Sequence, residues 1–172
     1  SPVVINGTSQ VNRNGFGIVD GSGLLIHTAG VVTISGVTAS WNRIGMLITQ
    51  HIPAAVTILN SQVDNNSSFG IRIGTSNPDP ENPNILYLSG PVLLSGVRVF
   101  ANGFIDDAPG VFITSNAKVT FAGGYIIGNA GAGIYLNLSG LLGSYTISTT
   151  TVLFGNDARE PFNDGDLKYY YY

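Results

Sequence analysis

Apolar and polar residues alternate in short runs along this chain, and the runs recur. Val32-Thr33-Ile34-Ser35-Gly36, Val56-Thr57-Ile58-Leu59-Asn60, Val92-Leu93-Leu94-Ser95-Gly96, Val119-Thr120-Phe121-Ala122-Gly123 and Tyr145-Thr146-Ile147-Ser148-Thr149 align, after a weaker copy at Val3-Val4-Ile5-Asn6-Gly7. Period-two alternation with β-branched residues, bounded by Gly, Asn and Ser, predicts strands, and no stretch repeats at helical spacing. From Thr33 the equivalent positions are Thr57, Leu93, Thr120 and Thr146, steps of 24, 36, 27 and 26 residues. Strands that close together in sequence have no room for helical crossovers. Each must therefore pair with its counterpart one repeat later. The predicted fold is all-β, a single right-handed parallel β-helix of about six coils, with strands ~4.8 Å apart along the axis. The longest step carries one proline-rich loop insertion, from Asn77 to Tyr87.

Two further signatures run in step with the strands. Nine residues past the anchor stand Asn42, Asn66, Asn102 and Asn129; the last coil slips by one to Asn156, and the first has Arg13 between Asn12 and Asn14. Beyond each asparagine comes a glycine with an aliphatic residue: Gly17-Ile18, Gly45-Met46, Gly70-Ile71, Gly110-Val111 and Gly133-Ile134. Buried amides need partners, so the asparagines are expected to form a structural ladder in a turn, bonded to backbone and to neighbouring coils. Alternation turns Val32, Ile34, Val56, Ile58, Val92, Leu94, Val119, Phe121 and Ile147 inward. It does the same for Val37, Ala39, Val63, Val97, Val99, Ile126 and Val152, and for the aliphatic partners of the glycines. The helix domain is read as 1–160 and the C-terminal tail as 161–172.

Units such as Val119-Thr120-Phe121 through Asn129-Ala130-Gly131-Ala132-Gly133-Ile134 resemble the parallel β-helix repeats of the pectin-lyase-like superfamily, over residues 3 to 156. The resemblance implies the right-handed solenoid. It does not choose among lyases, hydrolases, epimerases, tailspikes, adhesins and structural repeats.

A lyase of that kind needs an acidic calcium cluster and an arginine base, but Arg13, Arg43, Arg72, Arg98 and Arg159 stand in no such motif. A hydrolase needs paired carboxylates with a histidine and cations nearby. Asp106-Asp107 resembles the pair, but the family's Gly-His-Gly and Arg-Ile-Lys segments are missing. His27 and His51 are placed in turns of earlier coils, as surface residues. Asp79 and Glu81 in the insertion, with Asp164 and Asp166 near the end, carry the hard oxygens calcium takes, without the spacing of a known calcium loop. No cofactor is called for, and calcium is the one ion the loops would suit.

Composition narrows the setting. Only 10% of residues are charged, 44% are hydrophobic, and 23 are glycine. Solubility then rests on uncharged polar groups, which suits secreted or cell-surface β-proteins. A net charge of −3 supplies no basic stripe for nucleic acid. Cysteine is absent, so disulfides and thiolate metal sites are excluded. No apolar run is long enough for a membrane span. The start at Ser1 reads as a mature or trimmed product, and the role of Tyr169 to Tyr172 is left open. An outward stripe of Val19, Leu47, Arg72, Phe112 and Tyr135, ending beside Tyr125, is the candidate binding surface. Thr33, Thr57, Thr120 and Thr146 form a second outward column that would order water, were it not broken by Leu93. The expectation is an extracellular structural or adhesive module that binds a polysaccharide or a surface protein. The alternatives are a polysaccharide-acting enzyme using Asp106 and Asp107, and a scaffold subunit that self-associates through its solenoid ends.

Overall fold

The structure is a computed structural model that describes residues 1–15, 21–74, 88–139, 142–156 and 166–171. Three walls wind around one core. The first wall stacks Val3–Ile5, Val32–Ser35, Val56–Leu59, the leading halves of Val92–Phe100 and Lys118–Ile127, and Ser144–Ile147. The second stacks Ser9–Asn12, Val37–Ser40, Gln62–Asp64, the trailing halves of the same two long strands, and Thr151–Phe154. The third stacks Ser22–Thr28, Ile44–Gln50, Ile71–Ile73, Val111–Ser115, Ile134–Leu138 and Leu167–Tyr171. Every pairing between these strands is parallel. Six tiers result, or about five turns between the first and last copies of each wall.

The alternation that predicts strands also fills the interior. Val32, Ile34, Val56, Ile58, Val63, Val99, Val119, Ile134 and Leu136 are all fully buried. The stretch 161–172, read from sequence as a tail, supplies the last strand of the third wall, where Leu167 pairs with Ile134 and packs on the core.

The sixth tier departs from the sequence reading at one residue. Val152 was expected inward, yet it is 42% exposed and Leu153 takes the core position opposite Ile126. The corner between the first two walls holds one residue more here than in the tiers below. It closes through Ser148, whose carbonyl accepts from the Thr151 backbone N–H. A one-residue slip reverses every face, and the same slip places the sixth-tier asparagine at 156.

The ladder lies in the corner between the second and third walls. Asn42, Asn66, Asn102, Asn129 and Asn156 are at most 1% exposed. The Oδ1 of Asn66, Asn102, Asn129 and Asn156 each accepts from the backbone N–H and the Nδ2 of the rung before it, at 2.8–3.1 Å across these four steps. Each Nδ2 also donates to a second-wall carbonyl of the preceding tier, from Val11, Ala39, Val63, Val99 and Ile126 in turn. Asn14 starts the series and Asp166 ends it, its Oδ1 accepting from Asn156.

The residue just before each rung is left-handed: Arg13, Trp41, Asn65, Ala101, Gly128 and Gly155, with φ between 52° and 65°. That bend aims the next side chain inward. It is costly for Trp41 and Ala101, and six tiers of hydrogen bonds hold it.

The ladder also explains the glycine signature. A Cβ on Gly45, Gly70, Gly110 or Gly133 would stand 2.5–2.9 Å from the Nδ2 of the rung in the following tier. The amide occupies the space a side chain would need. In the first tier that glycine is Gly23, followed by Leu24 opposite Met46, rather than the expected Gly17-Ile18, which falls outside the described residues.

Candidate functional site

Outward positions decide what this scaffold can bind, and two walls present arginine and aromatic rings. On the third wall the row runs Leu25, Leu47, Arg72, Phe112 and Tyr135. Leu25 holds the first-tier place assigned from sequence to Val19, which lies outside the described residues. The upper part of this row is packed together. Phe112 is 6% exposed, stacked on Tyr135 at 5.2 Å and met edge-on by Phe69 at 5.7 Å. Arg72 lies against the same two phenylalanines, its Cζ 5.0 Å from the Phe69 centroid and 5.7 Å from that of Phe112. Its Nε is buried without a hydrogen-bond partner. Burial, and then the positive charge of Arg43, push its pKa below the ordinary guanidinium value. These contacts tie Arg72, Phe112 and Tyr135 into the wall, while Leu25 at the first tier is 63% exposed.

Tyr125 does not belong to that stripe. It stands on the second wall beside Arg98, and the register makes two adjacent outward columns there. One column is Gln10, Thr38, Gln62, Arg98, Tyr125 and Val152; the other is Asn12, Ser40, Asp64, Phe100, Ile127 and Phe154. The lower three tiers are polar and tied up locally, with Gln62 donating to Asp64 and Asn12 accepting from the Ser40 backbone. From the fourth tier the face turns apolar and opens. Phe100, Tyr125 and Phe154 are 49%, 52% and 69% exposed. Arg98, Phe100, Tyr125 and Ile127 line a hollow of about 500 Å³.

The sequence reading missed this face, although its signal was present. Once Val97, Val99 and Ile126 point inward, alternation sends Arg98, Phe100, Tyr125 and Ile127 outward as one block.

The other candidate residues lie apart from both rows. Asp106 and Asp107 are exposed in the turn after Phe100, Asp107 with a φ of 53°. His27 is on a third-wall strand rather than in a turn, paired with Thr49, whose Oγ1 is 2.5 Å from its Nδ1. It meets the His51 ring edge-on at 4.1 Å. The histidines therefore occupy the first two tiers, and the aspartates the fourth. Asp79, Glu81 and Asp164 lie outside the described residues, and an Oδ1 of Asp166 is committed to the ladder. Among the described residues no group of three or more His, Asp or Glu converges as metal ligands would, and no helix is long and apolar enough to cross a membrane.

A family model described as the right-handed β-helix region matches residues 2–152. No curated protein and no solved structure matches the chain.

Proposed function

The chain belongs to the right-handed β-helix family, and on that premise we propose that it is a structural or adhesive module of a secreted or cell-surface protein. Its working surface is the upper second wall. The observation that carries this reading is the open apolar hollow of Arg98, Phe100, Tyr125 and Ile127, continued by Val152 and Phe154. Exposed contiguous apolar surface on a water-soluble scaffold is costly unless something covers it. Tyr, Phe and Arg around a desolvated centre is the composition of protein contact sites. Of the two ligand classes open from sequence, the face favours protein. A sugar would find one guanidinium and one phenol to bond in the hollow, where a glycan site normally offers several polar partners. The low charge fits the extracellular setting.

A glycan array probed with wild type and with Tyr125→Ala tests the choice. The expected outcome is no glycan signal that depends on Tyr125. A signal abolished by Tyr125→Ala would replace the protein-facing reading with a glycan-binding one. A hydrophobic fluorescent dye should meanwhile bind the native protein, and should lose that binding in a Phe100→Ser/Tyr125→Ser variant that melts like wild type.

A further inference from the structure

We infer that the partner of the upper second wall is a second copy of the same chain, laid alongside with the two solenoid axes parallel. This rests on the reading of that wall as a docking face and names its occupant. The face grades along its length: polar in tiers one to three, a single cation at Arg98 in tier four, apolar through tier six. Such a gradient is matched by few surfaces. Its own copy is one of them.

The symmetry follows from the two columns. A two-fold axis parallel to the solenoid, above the line between them, places each tier opposite the same tier of the copy and exchanges the columns. Tyr125 then faces Ile127 of the copy, and Val152 faces Phe154. Arg98 lies over the Phe100 ring, where cation and π-face attract, and is one tier from the copy's Asp64. Gln62 faces Asp64 of the copy, so the lower tiers set polar groups against polar groups. The contact is isologous, so each pairing occurs twice and the assembly closes at two. Two sheets packed face to face stand ~10 Å apart, a gap these side chains fill.

The opposite arrangement, with antiparallel axes, is poorer. Centred on tier five it sets each Arg98 against Val152 of the copy and leaves an unpartnered cation in an apolar contact. Centred lower, it sets Asp64 and Gln62 against Phe154 and Val152. Association through the solenoid ends would leave the hollow uncovered altogether.

Sedimentation velocity from low to high micromolar concentration should show a monomer–dimer equilibrium. Phe154→Glu, at a site 69% exposed, should weaken it at least tenfold without lowering the melting temperature. The absence of cysteine allows a single handle. Thr38→Cys, in tier two, should cross-link efficiently with a short bismaleimide only when the axes are parallel, because antiparallel or end-to-end pairing carries the two thiols far apart. A dimer that persists in Phe154→Glu, or that fails to cross-link at Thr38, overturns the inference. A protein that stays monomeric throughout also overturns it. The docking face itself falls only if, in addition, the hydrophobic dye does not bind.

Discussion

Two outer rows of this solenoid are built from the same residue types, and they end in opposite states. On the third wall Arg72 and Phe112 are packed against Phe69 and Tyr135, and the guanidinium is partly desolvated. On the second wall Arg98, Phe100 and Tyr125 stand open around a hollow. The difference lies in the neighbouring corners. Phe69 stands just ahead of the third-wall strand of its tier and reaches over the row. The residues that directly follow the open strands are Ala101, Gly128 and Gly155, and none of these three has a side chain that can fold back across the wall. Residue type alone therefore does not distinguish a packed stripe from a docking face on a β-helix. What precedes and follows each strand decides it.

The largest expected effect tests the element the two walls share. Asn102 sits at 0% exposure between them, accepting from Asn66 and donating to Val63, Phe100 and Asn129. Leucine fits the volume but bonds nothing, and it orphans buried groups in two adjacent tiers. At about 1–3 kcal/mol for each unsatisfied group, Asn102→Leu should cost about 3 kcal/mol or more and loosen both faces together. Chemical denaturation measures it. A loss under about 1 kcal/mol would show that the rungs are individually dispensable.

Next in size is the contrast between the rings. Phe112→Ala removes a 6%-exposed side chain wedged between two aromatics and should cost about 2–3 kcal/mol, below a full core deletion because the site borders solvent. Phe100→Ala should stay within about 0.5 kcal/mol, as exposed substitutions usually do. Equal costs would erase the distinction between covered and open rows.

The scaffold was legible in sequence because its determinants are local and repeated. Alternation fixes which residues face the core, and the asparagine with its glycine marks one corner of each tier. The glycine's reason was not legible, since it depends on the amide of the next tier, two dozen or more residues away. Val152 misled for a similar reason. The inserted corner residue is visible only against the register of tier five, although the shift to Asn156 was its trace. The packing of the third-wall stripe was not legible, because alternation gives outward direction and not coverage. Whether Phe69 lies over Arg72 and Phe112 is a tertiary fact that no spacing encodes. Asp166 looked like a calcium ligand from composition. Its place as an acceptor-only terminus of the ladder appears only once the final strand is seen to join the third wall.

The smallest expected effect concerns the two arginines, and it gives the sharpest form of the comparison. Arg72 keeps its charge, as guanidinium groups in proteins do. It therefore bears the desolvation of that charge, the field of Arg43 and an unpaired Nε, offset by contact with two aromatic faces. Exposed cation–π contacts contribute ~0.5–1 kcal/mol each, and buried unpaired charge costs more. Arg72→Met retains the packing volume and removes the charge, so it should leave stability unchanged or raise it by up to about 1 kcal/mol. Arg98→Met should leave the melting temperature unchanged, since the side chain is exposed and no hydrogen bond or ion pair holds it among the described residues, and should act on association alone. Thermal unfolding at low protein concentration separates the two. A clear loss of stability in Arg72→Met would mean that the aromatic faces outweigh desolvation and that the covered row is held by its cation. A loss in Arg98→Met would mean that the open row is held together by contacts of its own and is not waiting for a partner.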